Sequence, residues 1–367
     1  MVKGELALEK KKVDYRSIDA INQSGLILYS EDPSLFYRKY ILKEKLAEET
    51  SVALSIGCLV DFYVLDCGGN EEMFNQRFDE KFCLFGATKS SSQVFVLADE
   101  LFKITSRKIE NGVVTEDISD VDFQEAFLNT QALDKYKGKV WRQGFDDFVA
   151  KGREYYSTLL RSIGKITVDL PTLDIAKRVA GQLISDENVN SWLIGGDNIE
   201  VLTKVVVEFE LSGMKCKVEI DILVIDFDSN TALLGDLKCT YNNEEFPYSY
   251  IKRKYYIQQA FYYLAALKFI EENYKGFKVI PMSFVVADTS SNRRKPLVYR
   301  TTVGHRNEGL QGFVLNNRAY KGVYDLMNNL KWSVENDIWD ISYDNYVANQ
   351  HIFLPSFNNT LQHDSSS

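Results

Sequence analysis

The pattern of apolar and polar positions changes character near residue 200. Before it, apolar residues recur mostly at helical spacing, with polar breaks. After it come short blocks rich in Val, Ile and Leu, divided by turn residues. The first pattern predicts a helix, turn and helix over 17–45, with Asp32-Pro33-Ser34 opening the second helix. A helix over 51–65 should stop at Gly68-Gly69. Others are expected over 122–130 and 145–160, and from Pro171, a first-turn proline, to about residue 185. The second pattern predicts strands over 201–209, 215–225 and 231–238, separated by Ser212-Gly213 and by Asp226-Phe227-Asp228-Ser229-Asn230. A helix over 255–273, a strand pair over 278–287 and 297–303, and a final helix over 318–330 complete the reading.

No Pro- or Gly-rich linker divides the chain. The expected architecture is therefore α/β: a mixed central β-sheet flanked by helices, with a helical N-terminal portion. Residues 1–16 are expected to be flexible. One domain is expected over 17–355, mostly helical over 17–200 and holding the sheet over 201–305, and the polar tail 356–367 is expected to be disordered.

Composition narrows the class. Of 367 residues, 45% are hydrophobic and 26% charged, ordinary for a globular chain. The net charge of -9 argues against a passive nucleic-acid coat protein, while leaving room for an enzyme that grips DNA over a small basic patch. Five scattered cysteines, none in a Cys-x-x-Cys pair, and three histidines argue against structural zinc or an iron–sulfur cluster and fit reduced thiols in a cytoplasm. No apolar run is long enough for a membrane span, and the N-terminus has no apolar leader core. There is no phosphate-binding loop of the Gly-x-x-x-x-Gly-Lys-Ser type and no Gly-x-Ser-x-Gly elbow.

The chemistry concentrates in residues 217–240. If the strands over 215–225 and 231–238 form a hairpin closed by Phe227 to Asn230, Asp226 faces Thr231 and Asp221 faces Asp236. Facing side chains in such a pair have Cβ atoms about 4.5–5.5 Å apart. Two carboxylates that close repel unless one is protonated or a cation lies between them. Hard oxygen ligands suit Mg²⁺ or Mn²⁺. Lys238 shares the strand face of Asp236 and can assist a water or offset phosphate charge. The alternative is a solvated hairpin with no site. Against it, Asp221 shares a face with Leu223 and Ile225, and Asp236 with Ala232 and Leu234.

Asp221 followed by Gly235-Asp236-Leu237-Lys238 resembles the motif of the PD-(D/E)XK nuclease superfamily. Downstream, Tyr255-Tyr256-Ile257-Gln258-Gln259-Ala260-Phe261-Tyr262 resembles the Gln-x-x-x-Tyr helix of its RecB-like and exonuclease VIII-like branch. Gln258 and Tyr262 are one helical turn apart. Gly57-Cys58-Leu59-Val60-Asp61 resembles the Gly-x-x-x-His helix of that branch, with Asp61 where the family has histidine. Ser24-Gly25-Leu26 with Asp32-Pro33-Ser34-Leu35-Phe36-Tyr37 resembles its opening helix pair, and Glu208, Gly213 and Asp221 its glutamate–glycine–aspartate spacing.

The resemblance implies a restriction-endonuclease-like core and metal-dependent hydrolysis of DNA. In it Asp221, Asp236 and the Leu237 backbone carbonyl hold Mg²⁺ or Mn²⁺, and Lys238 assists the water. Gln258 and Tyr262 position phosphate or water, and Asp61 and Glu208 are further candidate ligands. On the hairpin pairing, however, Glu208 faces Lys217. Lys252, Arg253 and Lys254 are candidates for backbone phosphates, as are Arg293, Arg294 and Lys295. The activity implied is that of a phage-type recombination exonuclease acting from duplex ends, with a single-strand annealing protein and a homo-oligomer as the assemblies to look for. An endonuclease of restriction or repair type, or a catalytically silent DNA-binding module, are the alternatives.

Overall fold

The computed structural model describes residues 14–44, 51–85, 92–107 and 118–351. Residues 1–13 and the tail expected over 356–367 lie outside the described residues. Where one domain was expected over 17–355, the chain divides into two compact units. Of the described residues, the first comprises those up to 49, those in 187–287 and those from 294 onward; the second comprises those in 50–186 and 288–293. The chain passes between them without a stretch of linker composition, so pattern alone did not mark the crossing points.

The first unit is built on a mixed five-stranded sheet of order β1-β2-β3-β4-β5. These strands are β1 (Ile199–Leu211), β2 (Met214–Asp226), β3 (Thr231–Thr240), β4 (Lys278–Asp288) and β5 (Leu297–Arg300). β1, β2 and β3 form an antiparallel meander, and β4 and β5 an antiparallel pair. Ser212 and Gly213, at φ +53° and +78°, close the first hairpin as a two-residue turn between the paired Leu211 and Met214. In the second turn the Asp226 carboxylate accepts the backbone N–H groups of Asp228 and Ser229, fixing the corner before Asn230 turns left-handed.

Helix Tyr255–Asn273 is set between β3 and β4 in the chain. It contributes Ile257, Ala260, Phe261 and Ala265 to a core shared with Val207 and Phe209 of β1 and Val218 and Ile220 of β2. The Phe209 and Phe261 rings meet edge to face at 5.1 Å. Helices Gln23–Glu31 and Val323–Asn336 join the same core through Leu26, Tyr29, Leu326, Met327 and Leu330. The expected helix over 318–330 is corrected here. Residues 313–320 form a small hairpin, with Asn316 and Asn317 both left-handed at its tip, and the helix begins only at Val323.

The second unit is mostly helical, with helices Gln93–Ser106, Asp120–Ala132 and Arg153–Arg161 packed around Leu97, Leu101, Phe123, Phe127, Phe148 and Tyr156. It also holds a short parallel strand pair, Phe82–Leu84 with Ile166–Val168, that the helical spacing had hidden. Pro171 sits in the first turn of helix Leu170–Ser185, as expected. All five cysteines are free thiols. Among the described residues, no helix is long and apolar enough to cross a membrane.

Candidate active site

The hairpin of β2 and β3 has the register expected from its turn: Asp226 pairs with Thr231, and the ladder continues to Ile222 opposite Gly235. Asp221 and Asp236 come next along the two strands, and their carboxyl groups are within hydrogen-bonding contact of each other. Gly235 leaves little room for a side chain at the preceding rung. A Cβ there would stand 3.1 Å from Ile222 Cβ and 3.3 Å from the Trp192 ring.

The pleat slips at this point. In β2, Cys216, Val218 and Ile220 face the core before the site, while Leu223 and Ile225 face it after the site. In β1 the matching change falls between Leu202 and Val205. The residue at the slip is Lys204, whose backbone is left-handed at φ +54°. A side chain in that conformation costs about 1–2 kcal/mol, and such strain concentrates at functional sites. Lys204 Nζ reaches Asp221 Oδ1 at 2.9 Å and Glu219 Oε1 at 3.8 Å, with 13% of its side chain exposed.

Asp236 is buried and surrounded. Its Oδ1 accepts from Gln258 Nε2 at 2.6 Å. Its Oδ2 lies against the Lys238 ammonium as an ion pair, yet accepts no hydrogen bond of ordinary geometry. Lys238 Nζ also lies 5.0 Å above the Tyr255 ring, which Phe246 and Phe284 hold from behind. The Leu237 N–H reaches toward Asp221 Oδ2 at 3.4 Å, so the backbone at Leu237 borders both acids. Tyr262 has Gln258 as its side-chain hydrogen-bond partner.

The electrostatics separate the two acids. Burial pushes the Asp236 carboxyl up to about 7, with Lys238 opposing the rise and the Asp221 charge adding to it. Burial also works to raise Asp221, but Lys204 and Lys238 overcome it and hold that carboxyl below its ordinary value. Burial, and then the charges of both acids, push the Tyr262 phenol well up, so it remains a neutral hydroxyl. For Lys238, burial lowers the ammonium, but the carboxylates of Asp236 and Asp221 outweigh it and leave it raised and charged.

Five of the expected residues therefore meet: Asp221, Asp236, Lys238, Gln258 and Tyr262, with the backbone of Leu237 beside them. Glu208 does not join them. It is exposed on β1, opposite Lys217, whose ammonium is taken up by the carbonyls of Tyr15 and Ile18. Asp61 is half-buried at the last position of helix Val52–Asp61, in the second unit. Lys254 is occupied by Ser30 and Glu31, whereas Lys252 and Arg253 are exposed. Two residues went unremarked in the sequence as parts of this cluster, Lys204 and the ring of Tyr255. Tyr255 opens the stretch that carries Gln258 and Tyr262 but was given no role there, and Lys204 lies in what reads as unbroken strand.

Among the described residues, no group of three or more His, Cys, Asp and Glu side chains is arranged to hold a metal ion. The protein side of any such site here is thus two carboxylates and backbone oxygen. That set of hard oxygen donors suits a hard cation that keeps much of its water.

No protein-family model matches the sequence. No curated protein matches it either. A solved structure from Eubacterium rectale, named "Putative exonuclease", is similar over 99% of this chain and 100% of its own, with a TM-score of 0.46 and 10% sequence identity. A likeness of that depth decides neither fold nor activity.

Proposed function

We propose that this chain is a divalent-metal-dependent nuclease of the PD-(D/E)XK type, in its RecB-like and exonuclease VIII-like branch, and that it hydrolyses DNA phosphodiester bonds from duplex ends. One observation carries the reading: Asp221, Asp236, Lys238 and Gln258, distant in sequence by up to 37 positions, converge on one buried carboxylate pair. Buried like charges are costly and persist where they are used.

Asp221, Asp236 and the Leu237 carbonyl would hold Mg²⁺ or Mn²⁺, which when bound supplies charge stabilisation for the phosphate and a more acidic water. Lys238 keeps its proton between Asp236 and the Tyr255 ring, and offers positive charge next to the scissile phosphate. Gln258 fixes the Asp236 carboxylate, and Tyr262 offers a neutral hydroxyl as a donor. Asp61 is kept as a further candidate metal ligand, and Lys252 and Arg253 would bind backbone phosphate. Asp61→Ala is then expected to shift the Mg²⁺ dependence of cleavage, and an unchanged titration curve would make Asp61 structural. An annealing protein for the product strand and a homo-oligomer belong to the same reading.

The test is digestion of end-labelled linear duplex, nicked circle and single strand, each with and without Mg²⁺. Loss of label from linear duplex only with metal supports the exonuclease. Cutting of closed or nicked circles would move the assignment to an endonuclease. Binding of DNA ends without cutting in either Mg²⁺ or Mn²⁺ would leave a silent DNA-binding module.

A further inference from the structure

Lys204 is a residue that no motif accounts for, and its geometry is unusual in two independent ways. Its backbone is left-handed within a long strand, where the neighbouring residues Thr203 and Val205 continue the antiparallel ladder. Its ammonium is directed onto Asp221 Oδ1, one of the oxygens that the proposed metal would use. The alternation of β1 and β2 slips at this rung. The slip and the left-handed backbone together turn a strand lysine toward the carboxylate.

We propose that Lys204 is the built-in counter-ion of the metal-free site: its ammonium and the divalent cation compete for the same Asp221 oxygen, and metal binding moves Lys204 off it. This rests on the nuclease reading above. The competition follows from charge and space. A carboxylate pair with Asp236 at its centre already has Lys238 on one side, and Lys204 supplies a second positive charge at Asp221. A divalent ion arriving at Asp221 brings charge that makes the second ammonium redundant and repels it. Glu219 gives the displaced ammonium a resting place: it stands 3.8 Å from Lys204 Nζ, two residues before Asp221 on β2, and a third of its side chain is exposed. No bond is made or broken in the exchange; one ion pair is traded for another.

The arrangement makes Lys204 a positioning residue. Without metal it keeps two acids together that would otherwise repel, so the site is formed before the cation arrives. With metal it yields. Linkage requires the effect to be reciprocal: whatever Lys204 contributes to the metal-free protein it subtracts from apparent metal affinity.

The variant that tests this is Lys204→Gly, because glycine accepts φ +54° without strain while removing the ammonium. Lys204→Arg keeps the charge and serves as the conservative control. Mn²⁺ and Mg²⁺ binding to the full chain is measured by titration calorimetry without DNA, and thermal unfolding is followed with and without metal. The expected result is metal binding tighter by about tenfold in Lys204→Gly, within the usual range of coupling between sites. Its thermal stability should rise more on adding metal than that of the wild type, while Lys204→Arg stays near the wild type. Unchanged metal affinity in a folded Lys204→Gly overturns the counter-ion role and leaves the nuclease reading standing if the wild type binds metal and cuts. Weaker binding in Lys204→Gly overturns it too, by making Lys204 a support rather than a competitor. If neither protein binds either metal, the counter-ion and the nuclease readings fall together.

Discussion

The two units satisfy their buried polar groups in different ways. In the helical unit most of the satisfaction is local. Thr130 and Thr158 return their hydroxyls to the carbonyls of Ala126 and Glu154, one turn back. Glu100 pairs with Lys103 on the same helix, and Thr172 gives its N–H to the Asp169 cap. Exceptions include the hydroxyls of Tyr155 and Tyr156, which bond Asp99 and Thr105 of a neighbouring helix, and Arg178, which donates to the carbonyls of Thr289 and Ser290. In the sheet unit the bonds cross the fold. Gln258 reaches back to Asp236, Gln259 donates to Tyr250 and to the His305 carbonyl, and Lys217 caps the carbonyls of Tyr15 and Ile18. Local satisfaction comes with helix formation itself, whereas distant satisfaction of charged groups requires a finished tertiary structure. Desolvating those charges is expensive unless geometry repays it. The sheet unit has accepted that burden around one carboxylate pair, and the helical unit has avoided it by burying aromatic rings.

If the helical unit rests on its rings, the largest effect there should come from removing one. Phe148 is fully buried between Phe123 and Tyr156, at ring distances of 5.6 and 5.8 Å. Phe148→Ala is expected to cost about 3–5 kcal/mol, as cavities of that size do. Denaturant unfolding measures it. A loss below about 1 kcal/mol, the middle of the range for arbitrary substitutions, would mean that this core is not what holds the unit together.

The matching break in the sheet unit is Asp236→Asn, which keeps the shape and removes the charge. Cleavage should fall on the order of a hundredfold or more, the usual consequence of losing one transition-state or metal-binding group. The same variant reports on pH. With its carboxyl at about 7 in the folded state against 3.8 ordinarily, Asp236 holds a proton that the unfolded chain has released. The native state then binds more protons between about pH 4 and pH 7, so metal-free wild type should lose stability as pH rises through that window. Asp221, lowered rather than raised, acts in the opposite sense, its contribution being lost only as pH falls to and below the ordinary carboxylate value. Asp236→Asn should flatten the curve. A wild-type melting temperature that rises from pH 5 to pH 7 in the absence of metal, with the same rise in the variant, would show that Asp236 is charged throughout.

How much of this was visible in the sequence follows the same division between local and distant. The hairpin of β2 and β3 was legible because its turn is local: Asp226, Ser229 and Asn230 fix the corner, and the corner fixes the register that aligns Asp221 with Asp236. Gln258 and Tyr262 were legible because one helical turn separates them. Lys204 was not, since a left-handed lysine has no sequence signature and the slip it sits on exists only between paired strands. The hairpin before helix Val323–Asn336 was missed although Asn316-Asn317 is a turn signal, because apolar spacing over 318–330 also fits a helix. The division into two units was hidden because the chain enters and leaves the helical unit without a linker.

The smallest effect expected is also the one that sets the two units against each other most directly. Asp169 caps helix Leu170–Ser185, accepting the Thr172 N–H at 2.8 Å, and the hydrogen bonds from Thr172 hold its carboxyl below the ordinary value. Asp169→Ala should cost about 1 kcal/mol at neutral pH, typical of a lost cap. Because this carboxyl is lowered on folding, its contribution is complete above the ordinary carboxylate range and disappears as pH falls through it. Asp236 is raised and behaves in the opposite sense. An aspartate that stabilises by charge at a helix end and one that destabilises by charge in a buried pair must therefore give pH profiles of opposite slope in one chain. Unfolding of the two variants across pH 3–8 without metal separates them. If Asp169→Ala and Asp236→Asn shift the stability curve in the same direction at neutral pH, the two aspartates are not differently placed, and the contrast between a locally satisfied and a functionally burdened carboxylate is wrong.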